Sequence, residues 1–303
     1  MSAYRTAQTL RESPREFQWR AQTGPVTGFL EAGEATRYRR LGMSLESFVH
    51  DGSAALLAPA GLFYLSLACY AAALLATLVR PASGVWLLSL GAGFHLLATA
   101  VRGWLISFFP LTNKFESFSA AALAVALVTI LTWRTVRLYT APLVGLACVA
   151  LTAALAFSTA LTYPPPLMQT LWYPLHVPLS FLAYGTWAAS AAAGLVWLRD
   201  RDAAWAADVD NLALRGFALW SLSMICGGVW GVVAWGTYFL WDVKILWSVI
   251  LWFHYATFIH LRLAPPPWSN PSTRSALALL GFVWVLVAYV GTSFLFGRSS
   301  HAF

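Results

Sequence analysis

Apolar residues run in long, nearly unbroken stretches from position 54 to position 297, separated by short polar or proline-bearing connectors. The stretches fall at about 54–79, 84–109, 117–138, 140–162, 176–198, 215–235, 245–263 and 275–297. A helix of roughly 20 predominantly apolar residues spans a hydrocarbon core about 30 Å thick, so each stretch predicts one crossing. The fold class that follows is all-α: a polytopic integral membrane protein with about eight transmembrane helices. The connections are too short to hold a second folded domain after residue 53. "TYPPPL" (162–167) and "APPPWSNPS" (264–272) read as stiff connectors.

Residues 1–53 break the pattern. They are polar and mixed in charge, with seven Arg against six acids, and they lack the apolar centre of a secretory signal peptide. The expected organisation is therefore a polar N-terminal tail, 1–53, and a transmembrane domain, 54–303. Neither an internal repeat nor a low-complexity run is present.

Composition agrees with the pattern. The chain is 59% hydrophobic and 10% charged, with a mean hydropathy of +0.65, outside the range of soluble domains. The formal charge of +7 does not imply nucleic acid. Beyond the tail, Arg80, Arg134, Arg137, Arg199, Arg201, Arg215, Arg262 and Arg274 fall in or beside four alternating loops, while the intervening loops carry little more than Lys114, Lys244 and Arg298. By the positive-inside rule the first group is cytoplasmic and the second faces outward. The same alternation puts the tail outside, against the preference of its seven Arg. Cys69, Cys148 and Cys226 lie inside spans and far apart in sequence, which excludes a disulfide framework and a CxxC pair.

Parity of crossings brings three features to one side. His176 stands where the fifth span begins, the segment "WGTYFLWDVKILW" (235–247) follows two crossings later, and His301 in "FLFGRSSHAF" two further on. Six of the sixteen Trp lie between Trp220 and Trp252. Neutral imidazole is a good iron ligand, and a bis-His pair over a flat aromatic floor suits a haem plane. A histidine at a membrane interface is also an ordinary amphipathic side chain, and Trp at span ends forms the usual aromatic belt. The combination on one face is what favours haem.

The stretch "GGVWGVVAWGTYFLWDVKILWSVILWFHYATFIHLRL" resembles the tryptophan-rich WWD signature of haem-handling proteins, in the form used by the CcsA/ResC family of cytochrome c biogenesis. "FFPLTNKFESF", "LHVPLSFLAYG" and the terminal "FLFGRSSHAF" resemble further landmarks of that family in the same order, from about residue 55 to the end. This chain departs from the pattern where Val243 and Ile245 replace Pro and Glu, Phe239 replaces a Trp, Phe115 replaces Tyr, and Phe108 or Phe109 stands in place of a frequent His.

The resemblance implies that 54–303 is a WWD-type haem-handling domain. His176 and His301 would be the axial ligands of an external haem iron, with Trp235, Gly236, Tyr238, Trp241 and Asp242 lining its platform. His260, in "FIHLR", would ligate a second haem iron within the membrane. It lies roughly 24 Å down a helix from Lys244, near the cytoplasmic end, where an ionisable group is a functional candidate; snorkelling beside Arg262 is the plain alternative. His95 is a weaker candidate for that inner site, with a buried helix contact as the other reading. His254 is rotated about 240° from His260 on the same helix and cannot easily share its site. Asp242 reads equally as an interfacial partner of Lys244 or an outer Arg and as a group that positions a haem propionate or the substrate peptide, through a bridging cation or by ordering the backbone; Glu116 reads equally as a site residue and as a solvated partner of Lys114.

The function implied is haem export, presentation and attachment to apocytochrome c, as the CcsA-like subunit of a cytochrome c synthase in the bacterial cytoplasmic membrane. The implied cargo is haem b. The implied partners are a CcsB-like membrane subunit, an apocytochrome c with a C-x-x-C-H motif, a thiol-reducing thioredoxin-like protein and the bilayer, with no nucleic acid. The chain brings no reactive Cys, as such chemistry requires, because the substrate supplies its own thiols. Three other classes fit the pattern less well. A WWD protein that loads a chaperone has fewer spans and lacks "LTNKFES". A di-haem electron carrier needs His pairs stacked on two helices, and a transporter needs more Gly/Pro interruptions.

Overall fold

A computed structural model describes residues 45–133, 139–239 and 241–294, with side chains described from Pro59 onward. The chain divides into two units, Met1–Leu57 and Ala58–Phe303, and every described side chain belongs to the second. The elements are α1 (Leu45–Val79), α2 (Pro81–Ile106), α3 (Lys114–Thr132), α4 (Thr140–Ala154), a 3-10 turn (Pro166–Met168), α5 (Trp172–Asp200), α6 (Ala203–Trp235), α7 (Val243–Leu263) and α8 (Pro271–Leu286). Seven of these helices are long and apolar enough to cross a bilayer, and α4 is a shorter apolar helix. The protein is an all-α polytopic membrane protein, as the eight apolar stretches predict.

Local chemistry sets the helix ends. Asn113, Asp202, Asp242 and Asn270 each accept a backbone N–H from the first turn of α3, α6, α7 and α8, the usual N-cap arrangement. Pro81 and Pro271 occupy the first helical position, where the missing N–H costs nothing. Gly236 ends α6 with φ +74°, a left-handed conformation that a Cβ would strain.

α5 is the central helix, packed on α3, α6 and α8. It achieves this with small residues. Ala188, Ala189, Ser190, Ala191, Ala192, Ala193 and Gly194 form a buried run, and small side chains are what let helices approach when lipid supplies no hydrophobic drive between them. The α5–α6–α7 contact centres on Trp187, whose ring stacks on Tyr255 at 3.8 Å and 3° and whose Nε1 donates to the Ala213 carbonyl at 3.2 Å. Gly216 makes room for it, because a Cβ there would stand 2.4 Å from the indole.

The helices depart from the apolar stretches at two places. α6 begins at Ala203, twelve residues before the expected 215, and so takes Asp208, Asp210 and Arg215 into a helix. Asp210 is buried there and ion-pairs with Arg274 at 2.7 Å and Arg262 at 3.6 Å, which joins the near ends of α6, α7 and α8. α4 ends at Ala154, short of the expected 162, and residues 158–165 run without helix. Their carbonyls are held instead by α2 and the start of α3. Arg102 donates to the carbonyls of Thr159 at 2.8 Å and Ala160 at 3.2 Å, and Thr112 Oγ1 donates to that of Thr162 at 2.9 Å.

Candidate functional site

At the end of the bundle away from the Asp210 ion pairs, the N-terminal turns of α3, α5 and α7, the C-terminal turns of α6 and the turns that follow α8 surround a cavity of about 260 Å³. Its walls are largely aromatic, with Phe118, Tyr173, Phe181, Tyr184, Trp220, Trp230, Trp235, Tyr238, Phe239, Tyr289 and Phe294 all facing it. Trp230 is the anchor of the wall. It is buried, packs on Trp235 at 4.8 Å and on Tyr173 at 5.1 Å, and donates Nε1–H to the Leu167 carbonyl at 2.8 Å.

His176 lines this cavity from the first turns of α5, with its ring roughly parallel to that of Trp230 at 6.4 Å. Its Nδ1 lies 2.8 Å from the carbonyl oxygen of Ser223 on α6. A carbonyl can only accept, so Nδ1 carries the proton and Nε2 is left with a free lone pair. Ser223 Oγ in turn donates to the His176 carbonyl at 2.9 Å, and Ser180 Oγ lies 2.7 Å from Ser223 Oγ. The tautomer and the ring orientation are thus fixed by a second layer of hydrogen bonds, the arrangement that metal-ligating histidines use. Gly227 completes the support. A Cβ at that position would stand 2.7 Å from both Cε1 and Nδ1 of His176, so only glycine leaves space for the ring.

α8 contributes through an irregularity. Its α-helix gives way to a π turn, Val287–Gly291, a feature frequent at functional sites. The turn carries Tyr289 to the cavity, where its hydroxyl lies 2.9 Å from Ser117 Oγ on α3. The described chain ends at Phe294, which also lines the cavity.

Among the expected platform residues, Trp235 and Tyr238 line the cavity with His176, whereas Trp241 and Asp242 are not among its lining residues. Gly236 forms the turn at the end of α6. Trp241 is 85% exposed and stands edge-on to Phe239 at 5.1 Å. Asp242 is 8% exposed, and its Oδ1 accepts the Lys244 N–H at 2.8 Å, so the carboxylate orders the start of α7. His301 lies outside the described residues.

The other histidines are separate. His260 is exposed near the far end of α7, with Nδ1 2.7 Å from the Ala256 carbonyl, which again leaves Nε2 free. His254 bonds the Leu277 carbonyl of α8 at 2.9 Å. His95 is buried with both nitrogens engaged, Nδ1 with Tyr70 OH at 3.2 Å and Nε2 with Ser119 Oγ at 2.6 Å. Among the described residues no group of three His, Cys, Asp or Glu side chains is arranged to hold a metal ion.

One expectation is corrected. Glu116 is not a solvated partner of Lys114. It is 3% exposed and pairs with Arg102, itself 2% exposed, at 2.8 Å, while its second oxygen accepts the Thr112 N–H at 2.7 Å. This pair lies behind the cavity rim and fixes Leu111 and Thr112. The Leu111 carbonyl accepts from Tyr173 OH at 2.7 Å, which ties the rim to the start of α5. Residues that sequence alone did not single out are therefore Ser223, Gly227, Trp230 and Tyr289, while sequence alone marks Lys114 and Lys244 as loop charges and not as cavity residues.

The chain is thus an all-helical polytopic membrane protein whose bundle presents a tautomer-fixed imidazole to an aromatic cavity at one end. Residues 93–298, more than half of the chain, match the family described as Cytochrome C assembly protein, and the chain belongs to that family. It is 27% identical over 262 residues to the cytochrome c biogenesis protein CcsA of Guillardia theta, covering 71% of this chain and 85% of the relative. It is 29% identical over 261 residues to CcsA of Synechococcus sp. (strain CC9605), covering 69% and 83%. In fold it is similar to a solved structure titled Cytochrome c Heme Lyase CcmF, with a TM-score of 0.60 and 18% identity. That match covers 78% of this chain, which spans only 46% of the other.

Proposed function

We propose that this chain binds haem at the His176 cavity and presents it for covalent attachment to apocytochrome c, as the CcsA-like subunit of a cytochrome c synthase. The observation that carries the reading is His176 itself: Nδ1–H spent on the Ser223 carbonyl, Nε2 free, and aromatic rings around it. His301 is the second iron ligand in this reading. It is the seventh residue after Phe294, which already borders the cavity. His260 serves a second haem site, which suits an exposed residue roughly 25 Å from the start of α7 by the helical rise. The cargo is haem b. The haem-handling part runs over 54–303 with the polar tail before it. The cavity faces the outer side of a bacterial cytoplasmic membrane. Partners are a CcsB-like subunit, an apocytochrome with a C-x-x-C-H motif and a thioredoxin-like reductant that keeps its thiols reduced.

The chemistry asks little of this chain in covalent terms. Each substrate thiol adds across one vinyl group of the haem, so sulfur and hydrogen both come from the apocytochrome. What the chain's residues do is hold and orient the cargo, exclude water with the aromatic wall, and set the iron's electronic state through imidazole. Ser223 and Ser180 keep the His176 ring in one orientation while an incoming histidine of the apocytochrome competes for the same metal.

The test is complementation. A host without its own haem-attachment protein is supplied with this chain, a CcsB-like subunit and a C-x-x-C-H reporter. Covalent haem staining of the reporter is expected, with loss on His176→Ala. A reporter that stays unlabelled while the chain is inserted in the membrane would contradict the assignment.

A further inference from the structure

The chain has seventeen arginines and only two lysines, Lys114 and Lys244, and both lysines line the His176 cavity. Among the described lining residues there is no Arg, Asp or Glu. The cavity lining therefore carries two positive charges and no negative one; the nearest carboxylate, Asp242, stands outside the lining, where it caps α7 and interacts electrostatically with Lys244. Neither ammonium forms an ion pair among the described residues. Lys114 Nζ instead lies over the rings of Phe294 at 4.8 Å and Phe157 at 5.9 Å, which holds a cation without neutralising it. Helical preference does not explain the placement. Each lysine sits in the first turn of its helix, α3 or α7, where the macrodipole disfavours a cation.

A ligand that answers such a site has a flat apolar body and acidic groups at its margin. Iron protoporphyrin has that form, with two propionates on one edge of the ring. Resting on the haem reading above, we propose that Lys114 and Lys244 bind the two carboxylates of the porphyrin and so decide which way round it lies beside His176. A compact ammonium on a flexible stem suits this task, because it follows a carboxylate without the rigid two-point grip of a guanidinium. Such a grip would hold a cargo that must leave. The consequence is selectivity for the free diacid over an uncharged porphyrin of the same shape.

The experiment uses the full-length protein in detergent, titrated with iron protoporphyrin IX and, separately, with its dimethyl ester, following the Soret band. Wild type is expected to bind the diacid more tightly than the ester. The Lys114→Gln/Lys244→Gln double variant is expected to lose about tenfold in affinity for the diacid, the size of two partly exposed ion pairs. Its affinity for the ester should stay at the wild-type value, and Lys114→Arg/Lys244→Arg should recover most of the loss. Equal binding of diacid and ester by wild type overturns the proposal, as does a double variant that weakens both ligands alike. The haem reading fails separately: if the wild-type Soret band is unaffected by His176→Gly, the cargo is not held at this cavity at all.

Discussion

Gly227→Ala adds a single methyl group to α6 and aims it at the His176 ring. The new Cβ would stand 2.7 Å from Cε1 and Nδ1, against the 3.4 Å at which ordinary van der Waals contact begins, so the ring must move by about 0.7 Å. That displacement pulls Nδ1 off the Ser223 carbonyl, now at 2.8 Å. A lost hydrogen bond of this kind costs about 0.5–1.5 kcal/mol, and overpacking of a tight site about 1–3 kcal/mol. An imidazole shifted by more than half an ångström is also misplaced for a metal it must reach at about 2 Å. Gly228→Ala is the control on the neighbouring residue, which also borders the cavity but whose added methyl would not meet His176. Its Cβ would meet Tyr238 at 3.8 Å, an ordinary contact, and it carries the same change in helix propensity. The assay is the haem content and Soret spectrum of each variant purified from membranes. Gly227→Ala should lose haem or change its axial ligation, and Gly228→Ala should match wild type. If both variants behave alike, the claim that Gly227 exists to seat His176 is refuted.

Other changes test the frame around the site. Arg102→Met leaves Glu116 as an uncompensated buried charge and should cost about 3–5 kcal/mol; little inserted, folded protein should be recovered, and adding Glu116→Gln should restore part of the yield. Asp242→Ala removes the cap of α7 and should cost about 1 kcal/mol, read as a lower midpoint of thermal unfolding. Asp242→Asn keeps the cap and should fall much less, so an equal fall for both would show that the charge, not the cap, matters. Gly216→Ala drives a methyl group into Trp187 at 2.4 Å and should disrupt the α5–α6 core, seen as loss of the folded peak in size-exclusion chromatography.

The fold was legible because bilayer thickness imposes a length on every crossing helix, and eight apolar stretches of about that length cannot be read in many ways. Its ends were less legible. The charges of Asp208, Asp210 and Arg215 suggest a loop, yet Asp210 is admitted to α6 because Arg274, 64 residues away, neutralises it. The apolar run after Ala154 suggests more helix, yet Arg102 and Thr112 capture the carbonyls that a helix would have used. His176 was visible as a candidate from its place at a span start. Its supports were not, since Ser223 and Gly227 lie on another helix and carry no periodic signal. The role of Glu116 was within reach of the sequence: residues two apart on a helix do not face each other, which argues against a pair with Lys114. The same rule leaves Lys114 free for the cavity.

Every role proposed for this cavity requires an iron held by His176. The most direct measurement is the visible and resonance Raman spectrum of the purified protein with His176→Gly, recorded before and after addition of free imidazole. The glycine variant should lose the low-spin bis-histidine signature, and imidazole entering the vacated space against Ser223 should bring it back. A spectrum that does not change on removing this side chain would contradict the account.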